Sequence, residues 1–127
     1  MFQVHTLVPE FWCSNFDESL HFYTKVVGFS VAQRRGNDLH AYLELGKAQI
    51  MIACWKQDGT WEPAPLEKPY GRGVNFQILT DDIQSIYLSA LSADIKPFVE
   101  LHTRWYWRTD RMEERTEFGL LDPDGYL

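Results

Sequence analysis

At 127 residues the chain suits one domain, and a 45% hydrophobic, 15% aromatic composition supplies enough apolar material for a sizeable core, which excludes a disordered polypeptide. A formal net charge of −6 and a sequence pI near 5.1 exclude the basic face that nucleic acid or an anionic membrane surface requires, and favour a cationic ligand. The sequence holds nothing like the roughly 18 consecutive apolar residues of a membrane span, and no basic segment followed by an apolar signal stretch, so the expected location is the cytoplasm.

In chain order, Met1 to Cys13 carries β-formers around Pro9 and reads as a first strand, with the proline restricting it to an edge or a bulge. Ser14 and Asn15 offer an N-cap. Phe16, Leu20, Tyr23, Val26 and Val27 then recur at helical spacing up to Gly28, which closes a helix of about three turns. Three strands follow, Phe29 to Arg35, Leu39 to Leu45 and Ala48 to Cys54, separated by the turn signals Gly36-Asn37-Asp38 and Gly46-Lys47. The cysteines Cys13 and Cys54 are too few for a disulfide framework and read as buried free thiols.

Residues 57–71 contain Gly59, Pro63, Pro65, Pro69 and Gly71 and read as a linker. The pattern then restarts. Gly73 to Thr80 alternates as a strand, and Asp81-Asp82 caps a helix carrying Ile83, Ile86, Tyr87, Ala90 and Leu91. Ile95 to Leu101 reads as a strand around Pro97, and Arg115 to Leu121 and Gly125 to Leu127 as strands joined by the turn Asp122-Pro123-Asp124-Gly125. Between them Trp105-Tyr106-Trp107 is expected in a polar loop, and the sign-alternating run from Arg108 to Glu117 in a solvated hairpin. This repeated order predicts an internal duplication: a single domain 1–127 made of modules 1–56 and 72–127.

The helix motif from Asn15 to Tyr23, its continuation into Val27-Gly28-Phe29 and the closing Asp122-Pro123-Asp124-Gly125-Tyr126-Leu127 resemble the vicinal oxygen chelate superfamily, which contains glyoxalases, extradiol dioxygenases and bleomycin resistance proteins. Leu7-Val8-Pro9-Glu10, the stretch from Gly71 to Ile78 and Trp105-Tyr106 look most like the bleomycin-resistance branch. The resemblance implies an α+β fold of two βαβββ modules whose curled mixed sheet surrounds a cavity. It also implies a homodimer that takes its ligand in a cleft.

The superfamily's enzymes hold a divalent metal on histidine, glutamine and glutamate side chains of inward-facing strand positions. Counted from the motifs, those positions fall here on Val8, Met51 and Asn75, and the last lies two residues beyond Leu127. An aliphatic group, a thioether and an amide are poor ligands for such an ion, so neither metal nor cofactor is expected. His5, His21, His40 and His102 lie away from these positions and read as surface or hydrogen-bonded histidines.

What the resemblance leaves for the cavity is set by strand periodicity. Glu10 and Trp12 share a face with Val8, Met51 shares one with Trp55, and Asn75 shares one with Gln77. Apolar and stacking contacts would come from Trp12, Met51, Trp55, Trp105, Tyr106 and Trp107, while Glu10, Asn75 and Gln77 would orient the ligand. A salt bridge from Glu10 to Arg72 or Arg115 is the structural alternative. The expected activity is sequestration of a small molecule, a cationic or aromatic antibiotic being the branch's example. The alternative is a metal-dependent glyoxalase-like lyase or isomerase, or a dioxygenase-related enzyme.

Overall fold

A computed structural model describes residues 1–35, 39–54 and 61–127. The first half folds as a mixed four-stranded sheet with a helical segment across one face. Strand β1 (Glu10–Trp12) pairs in parallel with β4 (Ala48–Ala53); β3 (His40–Leu45) pairs antiparallel with β4 and with β2 (Ser30–Arg34), giving the order β1-β4-β3-β2. The ladder begins only after Pro9, which has no N–H to donate, so most of the expected strand from Met1 to Cys13 stays outside it. The turn 36–38 lies outside the described residues. Gly46, at φ 58°, makes the turn between β3 and β4.

Helix α1 (Phe16–His21) starts where the sequence places it, with the Asn15 side chain accepting a hydrogen bond from the Glu18 N–H. It continues as a π-helical segment, Phe22–Val27, instead of a uniform α-helix, and ends at Gly28 with φ 101°. Tyr23 O accepts from both Gly28 N and Phe29 N at this stop.

The sheet register divides the side chains cleanly. Phe11, Ile52 and Ala41 are partners across three strands, as are Leu43 and Ile50, and all five are buried against Phe16, Phe22, Tyr23, Val26 and Phe29. Ala90 of the second half joins the same core. Burying this apolar face is what holds the helical segment to the sheet.

In the second half, helix α2 (Ile83–Ser92) is capped by Asp82, which accepts from Ser85 N. Strand β5 (Val99–Trp107) pairs antiparallel with β6 (Met112–Gly119). The expected strand from Ile95 starts two residues after buried Pro97 instead, and runs through the aromatic triplet. Trp105-Tyr106-Trp107 is therefore ladder, not loop. Gly73 to Thr80 forms no regular strand: its backbone is tied to the C-terminal residues by Phe76 N donating to Leu127 O at 2.9 Å. Gly125 to Leu127 likewise lies outside any ladder. The fold is mixed α+β, with a β-α-β-β-β order in the first half and an α-β-β order in the second.

A polar knot ties the two halves together. Asp124, fully buried, accepts from Ser14 N at 2.9 Å and Ser14 Oγ at 2.5 Å, and Lys68 Nζ lies 3.2 Å away. Asp122 accepts from the Tyr23 hydroxyl at 2.7 Å, and its other oxygen accepts from Asp124 N and Tyr126 N. The carboxylates of the Asp-Pro-Asp-Gly turn thus satisfy donors at the start and middle of the first helical segment. Burial pushes the Asp122 carboxyl up and the Tyr23 hydroxyl well above its ordinary 10.0.

Candidate functional site

The face of the first sheet turned away from the helices carries Glu10, Trp12 and Met51. Parallel pairing sets Glu10 beside Met51, and Tyr42 lies on the other side of Met51; Trp12 is beside Ala53, with His40 beyond it. Glu10 Oε1 stands 3.8 Å from Nε2 of His40, a histidine buried to 1% exposure whose ring meets Tyr42 edge-on. The carboxylate's neighbour is thus an imidazole from β3, where the sequence suggested Arg72 or Arg115. Arg72 instead donates to the carbonyls of Lys68 and Pro69.

The N-terminal residues cross this same face. The Phe2 ring packs tilted against Tyr42, with centroids 4.9 Å apart, and the buried Gln49 side chain accepts from His5 N and donates to Gln3 O and Glu44 Oε1. Neither the arm nor the histidine was legible as part of the site, because β-formers before Pro9 read as strand and His40 read as a histidine near a hairpin.

A second feature lies between the halves. A half-open cavity of about 580 Å³ is lined by Phe11, Phe22, Tyr23 and Ile50 of the first core, by residues 75–80, by Ile83 and Ile86 of α2 and by residues 113–120 of β6 and its exit. It lies between residues 75–80 and β6, on the side where Phe76 N donates to Leu127 O.

Asn75 and Gln77 both line the cavity, exposed and linked through Gln77 Nε2 donating to Asn75 Oδ1 at 3.4 Å. Opposite them stand Glu113, Arg115 and Glu117. The Tyr106 hydroxyl donates to Glu117 Oε1 at 2.7 Å, and His102 Nε2 lies 3.0 Å from the same oxygen. These partners hold the Glu117 carboxyl below its ordinary range; a hydrogen bond from Arg108 does the same for Glu113. Glutamates and one arginine, Arg115, therefore share the polar side of a cavity whose other walls are largely apolar. None of these three residues was expected at the site, since their alternating charges read as a solvated hairpin.

The aromatic triplet is exposed, but its side chains separate. Trp105 and Trp107, at 61% and 77% exposure, lie on one face of the β5–β6 ribbon beside Glu114 and Met112; Tyr106 lies on the other beside Glu113. Of the residues expected to bind ligand, the structure groups Glu10, Trp12 and Met51 on one sheet face, Asn75 and Gln77 in the cavity, and Trp105, Tyr106 and Trp107 on the ribbon. Trp55 lies outside the described residues.

A divalent metal does not fit these side chains. Met51 and Asn75 offer a thioether and an amide, and among the described residues no group of three or more His, Cys, Asp and Glu converges, at Glu10 and His40 or elsewhere.

Several solved structures share this architecture. A virulence protein of Salmonella typhimurium superposes with a TM-score of 0.64 at 20% identity, covering 99% of this chain and 94% of that one. TioX of Micromonospora sp. ML1 gives 0.64 at 17% identity over 97% and 94%. The bleomycin resistance determinant encoded on transposon Tn5 gives 0.60 at 18% over 97% and 92%. At these identities the likeness is one of fold. No curated protein matches the chain by sequence. The family profile described as the glyoxalase/bleomycin resistance protein/dioxygenase superfamily matches residues 3–127, nearly the whole sequence. The chain therefore belongs to the glyoxalase/bleomycin resistance protein/dioxygenase superfamily.

Proposed function

We propose that this protein binds a small molecule without a metal and acts by sequestration in the cytoplasm, with no bond made or broken. The observation that carries this reading is the cavity of about 580 Å³, within the size range of small-molecule pockets, apolar in its depth and edged by Asn75, Gln77, Arg115 and Glu117. An aromatic or aliphatic body would occupy the depth. The amides would fix its polar groups, and the ionised Glu117 and Glu113 would favour a positive charge at the rim. A cationic or aromatic antibiotic has this chemistry, and the bleomycin resistance determinant with the same fold is named for such a cargo.

The Glu10, Trp12 and Met51 face and the cavity lie on different surfaces of one chain. A homodimer that sets the Glu10 face of one protomer near the cavity of the other would unite them, and that is the assembly we propose. Each chain then contributes one domain of two modules, 1–56 and 72–127, joined by 57–71.

A thermal-shift screen of cationic and aromatic compounds tests the reading, because a ligand present at about 100 times its Kd stabilises the folded state by roughly 2.7 kcal/mol. The expected result is a saturable shift unaltered by chelator and lost when Asn75 and Gln77 are both changed to alanine. A ligand whose binding needs a stoichiometric divalent ion would replace sequestration with metal-dependent chemistry.

A further inference from the structure

The two cysteines sit at corresponding ends of neighbouring strands. The parallel register pairs Glu10 with Met51, Phe11 with Ile52 and Trp12 with Ala53, and Cys13 and Cys54 are the next residue of each segment. Cys13 N donates to Ala53 O at 2.8 Å, and the Cys13 thiol lies 3.2 Å from that same carbonyl. Adjacent strands stand about 4.8 Å apart, inside the roughly 4.4–6.8 Å Cα separation that a disulfide spans. The side-chain direction also agrees. Cys13 follows the parity of Phe11 and is buried in the core; Cys54 follows the parity of Ile52 and packs against that core, but is half-buried.

We propose that Cys13 and Cys54 form a reversible intramolecular disulfide, a redox latch across the β1–β4 junction. The chemistry needs a thiol oxidant, and a small-molecule disulfide such as oxidised glutathione supplies it. Cys54, the more accessible, attacks as thiolate on one donor sulfur, forming a mixed disulfide and releasing one thiol. Cys13 then gives up its proton and attacks the Cys54 sulfur, expelling the second thiol. Two protein thiols are oxidised and one donor disulfide is reduced to two thiols. The order of the steps follows from access: Cys54 is half-buried, whereas Cys13 is buried in the core, and that burial also pushes its thiol up to about 12.

The latch would act on the site. Cys13 lies between Trp12, on the ligand face, and Ser14, whose N–H and hydroxyl hold Asp124 of the second half. Fixing Cys13 to Cys54 would restrain both at once.

The test is incubation of the full chain with oxidised glutathione, followed by intact-mass measurement, alkylation and peptide mapping without reductant. The expected product has lost the mass of two hydrogens, contains a Cys13–Cys54 cross-link, resists alkylation and reverts with dithiothreitol. Closing a loop of some 40 residues should raise its melting midpoint by on the order of 10 °C. Cys13→Ser should instead accumulate a glutathione adduct at Cys54, which checks the order of attack even if the variant is less stable. Two thiols that stay alkylable in the oxidised sample, or a cross-link formed only between chains, would overturn the latch.

Discussion

Ser14 and Asp124 are 110 positions apart, yet Asp124 takes two hydrogen bonds from Ser14, one from its backbone N–H and one from its hydroxyl. The carboxylate is fully buried and the serine stands directly before the first helix, so the turn near the C-terminus organises the entry to a helix near the N-terminus.

Removing that carboxylate takes an acceptor from donors that water can reach. Asp124→Ala is expected to destabilise the fold by about 2 kcal/mol, since charge-assisted hydrogen bonds are lost while Ser14 and Lys68, both exposed, turn to solvent. Ser14→Ala, which keeps the backbone donor, should cost about 1 kcal/mol. Urea unfolding midpoints at neutral pH check both, and equal losses would mean that the Ser14 hydroxyl bond carries all that Asp124 contributes.

Two glycines with positive φ separate backbone strain from steric fit. A Cβ on Gly125 (φ 95°) would lie 2.5 Å from Pro69 Cβ and 2.6 Å from its Cα, whereas a Cβ on Gly46 (φ 58°) meets nothing within 4 Å. Gly46→Ala should therefore cost about 1 kcal/mol, the left-handed penalty by itself. Gly125→Ala adds a clash with backbone and should cost at least twice as much. Thermal melts of the pair decide it, and equal shifts would mean that residues 69–70 give way freely.

These particulars also locate what was readable in the sequence. The Asn15 cap, the Gly28 stop and the Asp82 cap depend on neighbours within a few residues, and each is found where local chemistry puts it. Strand membership is different, because a ladder belongs to two segments. Gly73 to Thr80 alternates as a strand should, but has no ladder partner; Trp105 to Trp107 lacks an obvious buried face, yet pairs residue by residue with Met112 to Glu114. The site divides the same way. Asn75 and Gln77 were singled out by alternation, but every residue from 75 to 80 lines the cavity, and Glu113 and Glu117 reach it only through the long-range placement of β6.

Stability should fall at alkaline pH for a nameable reason. A group whose folded pKa is raised contributes fully below its unfolded value and loses that contribution as pH rises towards the folded one. The Cys13 thiol moves from an ordinary 9.0 to about 12, and the Tyr23 and Tyr126 hydroxyls are raised above 10.0, all chiefly by burial. Between pH 9 and pH 12 the unfolded chain therefore releases protons that the folded chain keeps. The thiol alone would remove up to about 1.4 kcal/mol per pH unit in that window. Cys13→Ala should flatten the slope of unfolding free energy against pH without abolishing it, since the tyrosines remain. A slope unchanged by the substitution would show that the folded thiol ionises as freely as the unfolded one.

Ligand affinity should divide between the two surfaces that the proposed dimer unites. Asn75→Ala or Gln77→Ala removes an exposed amide, so stability should change by less than about 0.5 kcal/mol while affinity for a polar ligand falls about tenfold, equivalent to roughly 1.4 kcal/mol. Glu10→Gln keeps the side chain's shape and removes only its charge. A cationic ligand held across the dimer should lose at least about tenfold in affinity, and a neutral analogue should lose little. Isothermal titration of each variant with both compounds separates the contributions. Full affinity of the cationic ligand for Glu10→Gln would confine binding to the cavity of a single chain, leaving the Glu10–His40 pair a structural contact between β1 and β3.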